Sequence, residues 1–374
     1  MILSKLLIVD PIDGEFTGDI EIEEGKIVFV RKKDYATFLG ILVPGFVDPH
    51  IHGCAGADTL NGEFERMEEF QYAQGVTTFF ATTVSISQKK IKEVIEKAKN
   101  YIKAHENTSL EGVHMEGPYI SREKAGAHNT KYIRPPTREE IEDLSFPVRI
   151  MTFAPEVEDA EILLKLQSKG IVLSVGHSMA TFNEYMNFYK RNVKRITHFP
   201  NGLRALHHRE IGVTGAALLK EDVTVELICD GVHLAKEMVK LVYRVKGPAK
   251  IALITDSISA AGLKDGEVQL GDLRVKVKDG IPRLSNGTLA GSTLTFSSAV
   301  RNFKKFTGAP LRELAMVASY NSCIELGLND RGRIKEGKKA DLVLLDRELN
   351  VLMTIKGGEI VYRTPNSYFT LLCN

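Results

Sequence analysis

The segment that decides the fold is Gly45–His52, which reads GFVDPHIH: an apolar run of strand length that ends on two histidines. Because side chains of a strand alternate between its two faces, His50 and His52 point the same way and can present two imidazoles to one metal ion. A single His-x-His pair is only a weak sign of a metal site, since surface and core histidines are the ordinary alternative. The importance of this pair therefore depends on how other strand-like segments end.

Five further strand-like segments end on a residue that can bind metal or move a proton. They are Val113–Glu116 (VHME), Ser174–His177 (SVGH), Ile196–His198 (ITH), Leu227–Asp230 (LICD) and Leu253–Asp256 (LITD). In a (β/α)8 barrel the C-terminal ends of the strands converge on one point, where such proteins build their active sites. Six strand-like segments that end on such residues therefore indicate one shared site.

The middle of the chain alternates strand-like and helix-like segments. The clearest helix is predicted from Gln88 to about His105, because apolar residues recur there at helical spacing. Further helices are predicted at residues 63–74, 158–168, 180–190 and 235–245. Eight strands are predicted at residues 45–50, 77–82, 110–116, 148–154, 171–176, 195–198, 223–229 and 251–255. This alternation favours an α/β fold of the TIM-barrel type, with an inserted hairpin at residues 268–283.

Both ends of the chain predict short strands. Residues 19–23 and 26–30 flank a turn at Glu24–Gly25, and residues 340–346, 351–354 and 359–362 form a similar set. Isolated hairpins are marginally stable in water, so neither set is expected to fold alone. The sequence therefore predicts one small β-sandwich domain from residues 1–43 and 334–374, beside a TIM-barrel domain of residues 44–333.

Composition narrows the classes of partner. The 374 residues carry 49 basic and 48 acidic side chains, a net charge of +1, so no global field attracts nucleic acid or an anionic membrane. No apolar run approaches the roughly 20 residues that span a bilayer, and the short apolar N-terminus predicts a first strand rather than a signal peptide. Scattered cysteines without a CxxC pair are typical of the cytoplasm; they are Cys54, Cys229, Cys323 and Cys373.

Three of the strand-end residues form a recognised type of hydrolytic ligand set. Glu116, His177 and His198 lie at the predicted ends of the third, fifth and sixth strands. Zinc typically binds imidazole nitrogens and carboxylate oxygens, and a catalytic site keeps one position open for water. Each residue alone could be a satisfied buried polar group, but their occurrence together with His50 and His52 favours a metal centre.

Other candidates follow the remaining strands. Asp256 can exchange a proton with a metal-activated water, whereas capping of the following segment is the alternative role. His128 lies in a glycine-containing loop, where it faces either a ligand or solvent, and His114 is expected to support the neighbouring ligand. Arg209 and His233 follow the sixth and seventh strands and can bind a phosphate or carboxylate, with an ordinary surface charge as the alternative for Arg209.

Together these segments resemble a known family. Pro44–Gly53 is similar to the opening motif of the amidohydrolase superfamily, which is a superfamily-level signal. Within it, the chain resembles the N-acetylglucosamine-6-phosphate deacetylases in the segments His114–Pro118, Gly176–Ser178, Thr197–Asn201, Asp230–His233, Thr255–Asp256, Leu289–Thr293 and Gly332–Asp341. The resemblance extends over essentially the whole chain. The fourth-strand segment Arg149–Ala154 has no lysine, which argues against relatives that act on cyclic amides through a carbamylated lysine there.

The resemblance implies an activity and a role for each motif. It implies release of acetate from an amino-sugar phosphate by a homodimer, with a primary metal on Glu116, His177 and His198 and with Asp256 as acid/base. His128 would polarise the acyl carbonyl. The implied substrate contacts are Ala127, His128, Asn201, Gly202, Arg209, Asp230, Gly231, Val232, His233, Leu289, Ala290 and Gly291. Some relatives replace the first-strand histidines and use one metal; this chain keeps His50 and His52, so one or two divalent ions of the Zn, Fe or Mn type are expected.

Two alternatives stay open from the sequence. One is a deacetylase or amidase for a different N-acyl sugar phosphate or a cyclic amide. The other is a metal-free binding protein on the same fold, which would be expected to have lost ligand residues that this chain retains.

Overall fold

The structure is a computed structural model that describes residues 1–365; Cys373 and the last part of the predicted β-sandwich domain lie outside them. The strands, in chain order, are β1 (Ile2–Asp10), β2 (Gly14–Glu23), β3 (Lys26–Lys32), β4 (Gly40–Pro44), β5 (Phe46–Ile51), β6 (Gly53–Cys54), β7 (Ala57–Asp58), β8 (Val76–Thr83), β9 (Leu110–Glu116), β10 (Val148–Phe153), β11 (Val172–Val175), β12 (Arg195–Ile196), β13 (Thr224–Ile228), β14 (Ile251–Ile254), β15 (Gly266–Leu270), β16 (Leu273–Lys278), β17 (Ile281–Arg283), β18 (Leu342–Leu345), β19 (Val351–Lys356) and β20 (Glu359–Arg363).

Helices connect these strands. The α-helices are α1 (Phe64–Ala73), α2 (Gln88–Ala104), α3 (Arg138–Asp143), α4 (Phe182–Tyr189), α5 (Gly212–Leu219), α6 (Lys236–Lys246), α7 (Phe296–Thr307), α8 (Leu311–Ala315) and α9 (Asn321–Glu325). The shorter helical segments are the 3-10 helices Thr59–Asn61, Arg122–Lys124, Thr130–Tyr132, Ala160–Lys169 and Pro248–Lys250, and the π-helical turn Met316–Tyr320.

The central element is an eight-stranded parallel sheet whose hydrogen-bonded order is β5, β8, β9, β10, β11, β12, β13 and β14. Backbone hydrogen bonds beyond β14 bring its end back to the first strand: the Asp256 amide donates to the His50 carbonyl (2.9 Å), and the His52 amide donates to the Ser257 carbonyl (2.8 Å). These bonds bring the C-terminal ends of β5 and β14 together. The predicted TIM barrel is confirmed, with all eight predicted strands present.

Local chemistry explains two of the helices. In α2 the Ser87 side chain accepts the Lys90 amide, and the buried residues Ile91, Val94 and Ala98 follow the predicted helical spacing. The predicted helix at residues 158–168 is a 3-10 helix, Ala160–Lys169. Its buried residues Ala160, Leu163 and Leu166 recur every three positions, which is the spacing that a 3-10 helix places on one face.

Strands from both ends of the chain share one seven-stranded sheet, in the order β20, β19, β18, β4, β1, β2 and β3. This sheet encloses a core of its own, which includes Leu6, Ile20, Leu342 and Met353. The Ala340 amide donates to the Gly25 carbonyl (2.8 Å). This bond joins the segment before β18 to the turn between β2 and β3. The division into domains at residues 43/44 and 333/334 stays a prediction.

A second, three-stranded antiparallel sheet of β15, β16 and β17 is inserted after β14, where the sequence predicts a hairpin. Leu270, the last residue of β15, is buried and packs in the main core. Within residues 1–365, no helix combines the length and the apolar character needed to cross a membrane.

Candidate metal centre and active site

The predicted ligand residues meet at the C-terminal end of the barrel. His50 lies in β5, His52 comes directly after it, and Glu116 is the last residue of β9. His177 and His198 each follow their strand, β11 and β12, by two residues. All five side chains are buried, so the strand-end pattern in the sequence corresponds to one enclosed cluster.

Three residues of this cluster have a left-handed backbone that non-glycine residues adopt only at a cost. The φ angles are 47° at His177, 31° at His198 and 51° at Asp256. Such conformations cost about 1–3 kcal/mol and persist where surrounding contacts fix them. At Asp256 the contact is a close backbone approach: the Ser292 amide donates to its carbonyl (2.8 Å), and a Cβ on Gly291 would lie 2.9 Å from that oxygen. Gly291 therefore admits the turn that fixes Asp256.

Glu116 stands between two groups of histidines. Its Oε1 lies 3.2 Å from His177 Nε2 and 2.9 Å from His198 Nε2, and we call these three residues the primary group. Its Oε2 lies 3.5 Å from His50 Nε2 and 3.4 Å from His52 Nε2, and we call Glu116 with these two residues the strand group. In each group the ligand atoms lie within 4.8 Å of one another, a spacing that can hold a metal ion.

The outer ring nitrogens show which tautomer each of these histidines adopts. Every Nδ1 faces an oxygen that can only accept, so Nδ1 carries a hydrogen and Nε2 is the nitrogen that faces the cluster. The four pairs are His177 with the Lys124 carbonyl (2.7 Å), His198 with the Asn201 carbonyl (3.1 Å), His52 with the Thr82 carbonyl (3.2 Å) and His50 with Glu226 Oε2 (3.2 Å). Burial lowers the pKa of His50 and of His52, but Glu116 and Asp256 outweigh that effect and raise both, that of His52 to about 9, so a metal ion bound at Nε2 would take the place of a proton.

His128 adopts the opposite tautomer. The Ser85 amide donates to its Nδ1 (2.9 Å), which leaves the hydrogen on Nε2, 3.3 Å from Glu116 Oε2. Burial lowers the pKa of His128 to about 4, so the ring is neutral near pH 7. His128 is therefore a hydrogen-bond donor into the site rather than a metal ligand.

Asp256 lies against the strand group, with Oδ1 3.1 Å from His52 Nε2 and 3.3 Å from His50 Nε2. Burial by itself raises the pKa of its carboxyl, but these two histidines outweigh it and hold the pKa well below its usual value. The residues that follow, 257–265, contain no helix for Asp256 to cap. The carboxylate is thus ionised.

The cluster forms the floor of a cavity of about 220 Å³. The predicted substrate contacts that line it are Ala127, His128, Asn201, Gly202, His233, Leu289 and Gly291. Ala290 is fully buried and is absent from the lining. Leu270 of the inserted sheet and Val84 complete an apolar part of the wall.

His233 belongs both to this cavity and to a neighbouring one of about 330 Å³, which Asp230 and Val232 also line. The His233 Nδ1 lies 2.6 Å from Asp230 Oδ2. Burial lowers the pKa of His233, but Asp230 outweighs that effect and the pKa is raised. Gly231 is exposed and lines neither cavity. Asp230 therefore favours a cationic His233 at the edge of the site.

The structure leaves Arg209 outside the cavity. Its side chain is exposed, and Nη1 lies 2.7 Å from Nε2 of the neighbouring His208. His114, expected to support Glu116, lies beneath His50 with ring centroids 4.7 Å apart, and its Nε2 lies 2.7 Å from Thr152 Oγ1. Burial lowers the pKa of His114 to about 3, so this ring is a neutral packing element below the site.

Two residues that contact the site, and a third that supports one of them, were missed by sequence reasoning. Glu226 lies within β13 and contacts His50, Arg195 pairs with Glu226, and Ser85 fixes the tautomer of His128. A charged residue inside the apolar strand Thr224–Ile228 was the available signal for Glu226, because unpaired charges are rarely buried. Nothing in the sequence near Ser85 indicates its partner.

The residues present fit a divalent metal. Each group offers imidazole lone pairs and a carboxylate oxygen in a buried setting, which are the ligands that zinc and similar ions take. Glu116 is ionised, as a metal ligand must be. Burial raises the pKa of its carboxyl, but the surrounding histidines outweigh that effect and hold the pKa well below its usual value.

Comparison with known proteins identifies the family of the chain. The profile of the amidohydrolase family matches residues 41–361. N-acetylglucosamine-6-phosphate deacetylase from Lysinibacillus sphaericus is 34% identical over 382 residues, covering 98% of this chain and 99% of the relative.

Solved structures extend the likeness to the fold. The crystal structure of N-acetylglucosamine-6-phosphate deacetylase from Thermotoga maritima is 67% identical with a TM-score of 0.97, covering 97% of this chain and 100% of that one. A variant of the Mycobacterium smegmatis enzyme, solved in complex with N-acetyl-D-glucosamine-6-phosphate, is 30% identical with a TM-score of 0.91, covering 96% and 99%. This chain belongs to the amidohydrolase family, and within that family it is related to the N-acetylglucosamine-6-phosphate deacetylases.

Proposed function

We propose that this protein hydrolyses the acetamide of N-acetylglucosamine 6-phosphate and releases acetate and glucosamine 6-phosphate. One observation carries the proposal: a single cavity combines the primary group, a neutral N–H donor in His128 and an ionised Asp256. These are the parts that metal-assisted amide hydrolysis requires. The near full-length relationship to deacetylases of this name supports the choice of substrate.

In this proposal a divalent ion of the Zn, Fe or Mn type is held by Glu116, His177 and His198. When bound, such an ion acidifies water and polarises a carbonyl oxygen. The chain's part is to fix the ligands: Lys124 and Asn201 carbonyls hold the two rings in the binding tautomer.

His128 stabilises the negative charge that develops on the acyl oxygen. Its Nε2–H points into the site, and the Ser85 amide prevents the hydrogen from moving to Nδ1. A fixed donor of this kind acts most strongly in a buried site, because it needs no reorganisation as charge develops.

Asp256 moves the proton. It takes a proton from the attacking water and returns it to the amine nitrogen, since an unprotonated amide nitrogen is a very poor leaving group. Its position between the strand group and the cavity supports both steps, because the carboxylate contacts His50 and His52 while lining the space that substrate occupies.

The phosphate is bound, in this proposal, by His233 and by an Arg209 from a second copy of the chain. A cationic His233 lies at the cavity edge, whereas Arg209 of the same chain is exposed and outside the lining. A homodimer that places the Arg209 loop over the neighbouring cavity would supply the missing charge. Asp230 would support the charge of His233 through its carboxylate, and Gly231, Val232 and Ala290 would shape the substrate site through the backbone.

The unpaired, buried Cys54, Cys229 and Cys323 support the cytoplasm as the compartment.

The test measures acetate release together with bound metal. Purified protein is assayed on N-acetylglucosamine 6-phosphate, on the epimeric N-acetylgalactosamine 6-phosphate, on unphosphorylated N-acetylglucosamine and on a cyclic amide. We expect the first to give the highest kcat/KM and chelation to abolish turnover. Faster turnover of the cyclic amide or of the unphosphorylated sugar would contradict the proposal.

A further inference from the structure

A buried ion pair lies in the barrel wall beneath the site. Glu226 in β13 and Arg195 in β12 are on neighbouring strands, and their side chains are almost wholly enclosed. Arg195 donates to Glu226 Oε1 from Nε (2.9 Å) and from Nη2 (2.7 Å), and its Nη1 donates to Glu325. Because desolvating two charges is costly, such a pair is weak support for stability. Its contacts with the site therefore matter for its role.

The other oxygen of Glu226 faces the metal centre. Oε2 accepts from His50 Nδ1 (3.2 Å) and from the backbone amide of His198 (3.1 Å). The carboxylate thus has donors on both sides: Arg195 at one oxygen and two site residues at the other. It touches one residue of the strand group and one of the primary group.

His50 differs in this respect from the other three ligand-type histidines. The Nδ1 atoms of His52, His177 and His198 each face a backbone carbonyl, which the fold itself supplies. Only His50, among these four, depends on a side chain for its tautomer. A carboxylate partner also makes the imidazole a better metal ligand.

We propose that Glu226, held in place by Arg195, is the positioning residue that makes His50 a ligand and so permits a second divalent ion in the strand group. The inference rests on the metal centre of the proposed function but not on the identity of the substrate. Without the Glu226 carboxylate, the buried Nδ1–H of His50 loses its acceptor, and the Arg195 charge loses one of its two carboxylate partners. An incompletely compensated cation on this side of the site disfavours a dication bound nearby.

The primary test is Glu226→Gln. A glutamine offers one acceptor oxygen, so its amide N–H groups must face donors either at Arg195 or at His50 and His198. Purified holoprotein is dialysed against buffers of falling free Zn²⁺, and bound zinc is counted by mass spectrometry. We expect wild type to hold two equivalents. In Glu226→Gln the second equivalent should bind about 10- to 100-fold more weakly, the usual effect of removing a partner of a metal-bound histidine, while the first is retained.

Glu68→Gln is the matched control. Glu68 is also a buried carboxylate with several donors, among them Ser109 Oγ (2.8 Å), Thr108 Oγ1 (2.7 Å) and Tyr101 Oη (2.9 Å), but it contacts no ligand-type residue of the site. It should keep two equivalents even if its thermal unfolding temperature falls. The same second-ion loss in Glu68→Gln would show a general effect of destabilisation and overturn the inference.

A second variant covers the case in which Glu226→Gln does not fold. Arg195→Met combined with Glu226→Gln and Glu325→Gln removes all three charges of the network together, which is often tolerated for buried ion pairs and triads. It should fold, hold one equivalent and lack the second. Tight retention of both ions in either variant, equal loss of both ions, or a single equivalent in wild type would overturn the inference. Absence of deacetylation with the expected zinc counts would contradict the proposed function and leave the role of Glu226 intact.

Discussion

The primary group and the strand group share Glu116, but His50 of the strand group is held differently from the histidines of the primary group. His177 and His198 lie on loops two residues beyond their strands, with left-handed backbones and with carbonyl partners. His50 lies within the extended strand β5 and depends on Glu226, a side chain from another strand. A motif such as His-x-His can be recognised in the sequence. The side chain that fixes the tautomer of one of its histidines, however, can come from far along the chain.

The largest expected effect separates the two groups directly. His198→Ala or His177→Ala should abolish tight binding of the ion in the primary group and reduce deacetylation to background, because each removes one of the three ligands of that group. His50→Ala should retain at least one ion, since the primary group stays whole. Metal analysis of the dialysed variants decides the matter. Full retention of metal in the His177 and His198 variants would contradict the assignment.

The next effect concerns Asp256, which contacts the strand group without belonging to either set of ligands. Asp256→Asn should keep the metal of the primary group and lower kcat by about 10²- to 10⁴-fold, because an amide of the same shape cannot carry a proton. Steady-state kinetics with parallel metal counts provide the measurement. Turnover near that of wild type would remove Asp256 from the mechanism.

The third effect concerns His128, the neutral hydrogen-bond donor that lies beside both groups. His128→Ala should lower kcat by about 10²- to 10³-fold, the usual effect of removing one donor to a developing oxyanion, and should leave the metal content unchanged. Loss of an ion in this variant would instead make His128 a ligand and contradict the tautomer that the Ser85 amide fixes.

The smallest expected effect concerns Arg209, which lies outside both groups. One charge-assisted hydrogen bond contributes about 1.5–3 kcal/mol, so Arg209→Ala should lower kcat/KM for the phosphorylated sugar by about 10- to 200-fold. The same change should matter little for N-acetylglucosamine without phosphate. Kinetics of both proteins on both sugars give the comparison, and equal losses on the two sugars would exclude Arg209 as the phosphate anchor.

Much of the barrel could be predicted because its strands are short apolar runs whose period and order are local properties. The strand Leu110–Glu116 and the helix beginning at Gln88 were predicted at their observed starts. The type of a helix could not be predicted where it depends on packing. In Ala160–Lys169 the three-residue spacing of buried side chains indicates a 3-10 helix, but which side chains are buried is known only from the structure.

The candidate site divides in the same way. Residues with metal-binding chemistry at strand ends are visible in the sequence, because strand ends of a parallel barrel converge whatever the details. Glu226 and Arg195 were missed, since a charge inside a strand gives no sign of its partner until neighbouring strands are aligned. Arg209 shows the converse: its position after the sixth strand suggests a ligand contact, yet the single chain leaves it exposed.

The sequence by itself determined the alternation of strands and helices, the net charge of only +1 and the set of histidines and carboxylates at the strand ends. Only the tertiary structure decided which nitrogen of each histidine is free. The Ser85 amide leaves the hydrogen of His128 on Nε2, whereas the Lys124 carbonyl accepts from Nδ1 of His177 and so turns Nε2 of that ring toward the cluster. The physical reason is that an imidazole can carry its proton on either nitrogen, and the choice is set by the atom that packing places against each of them.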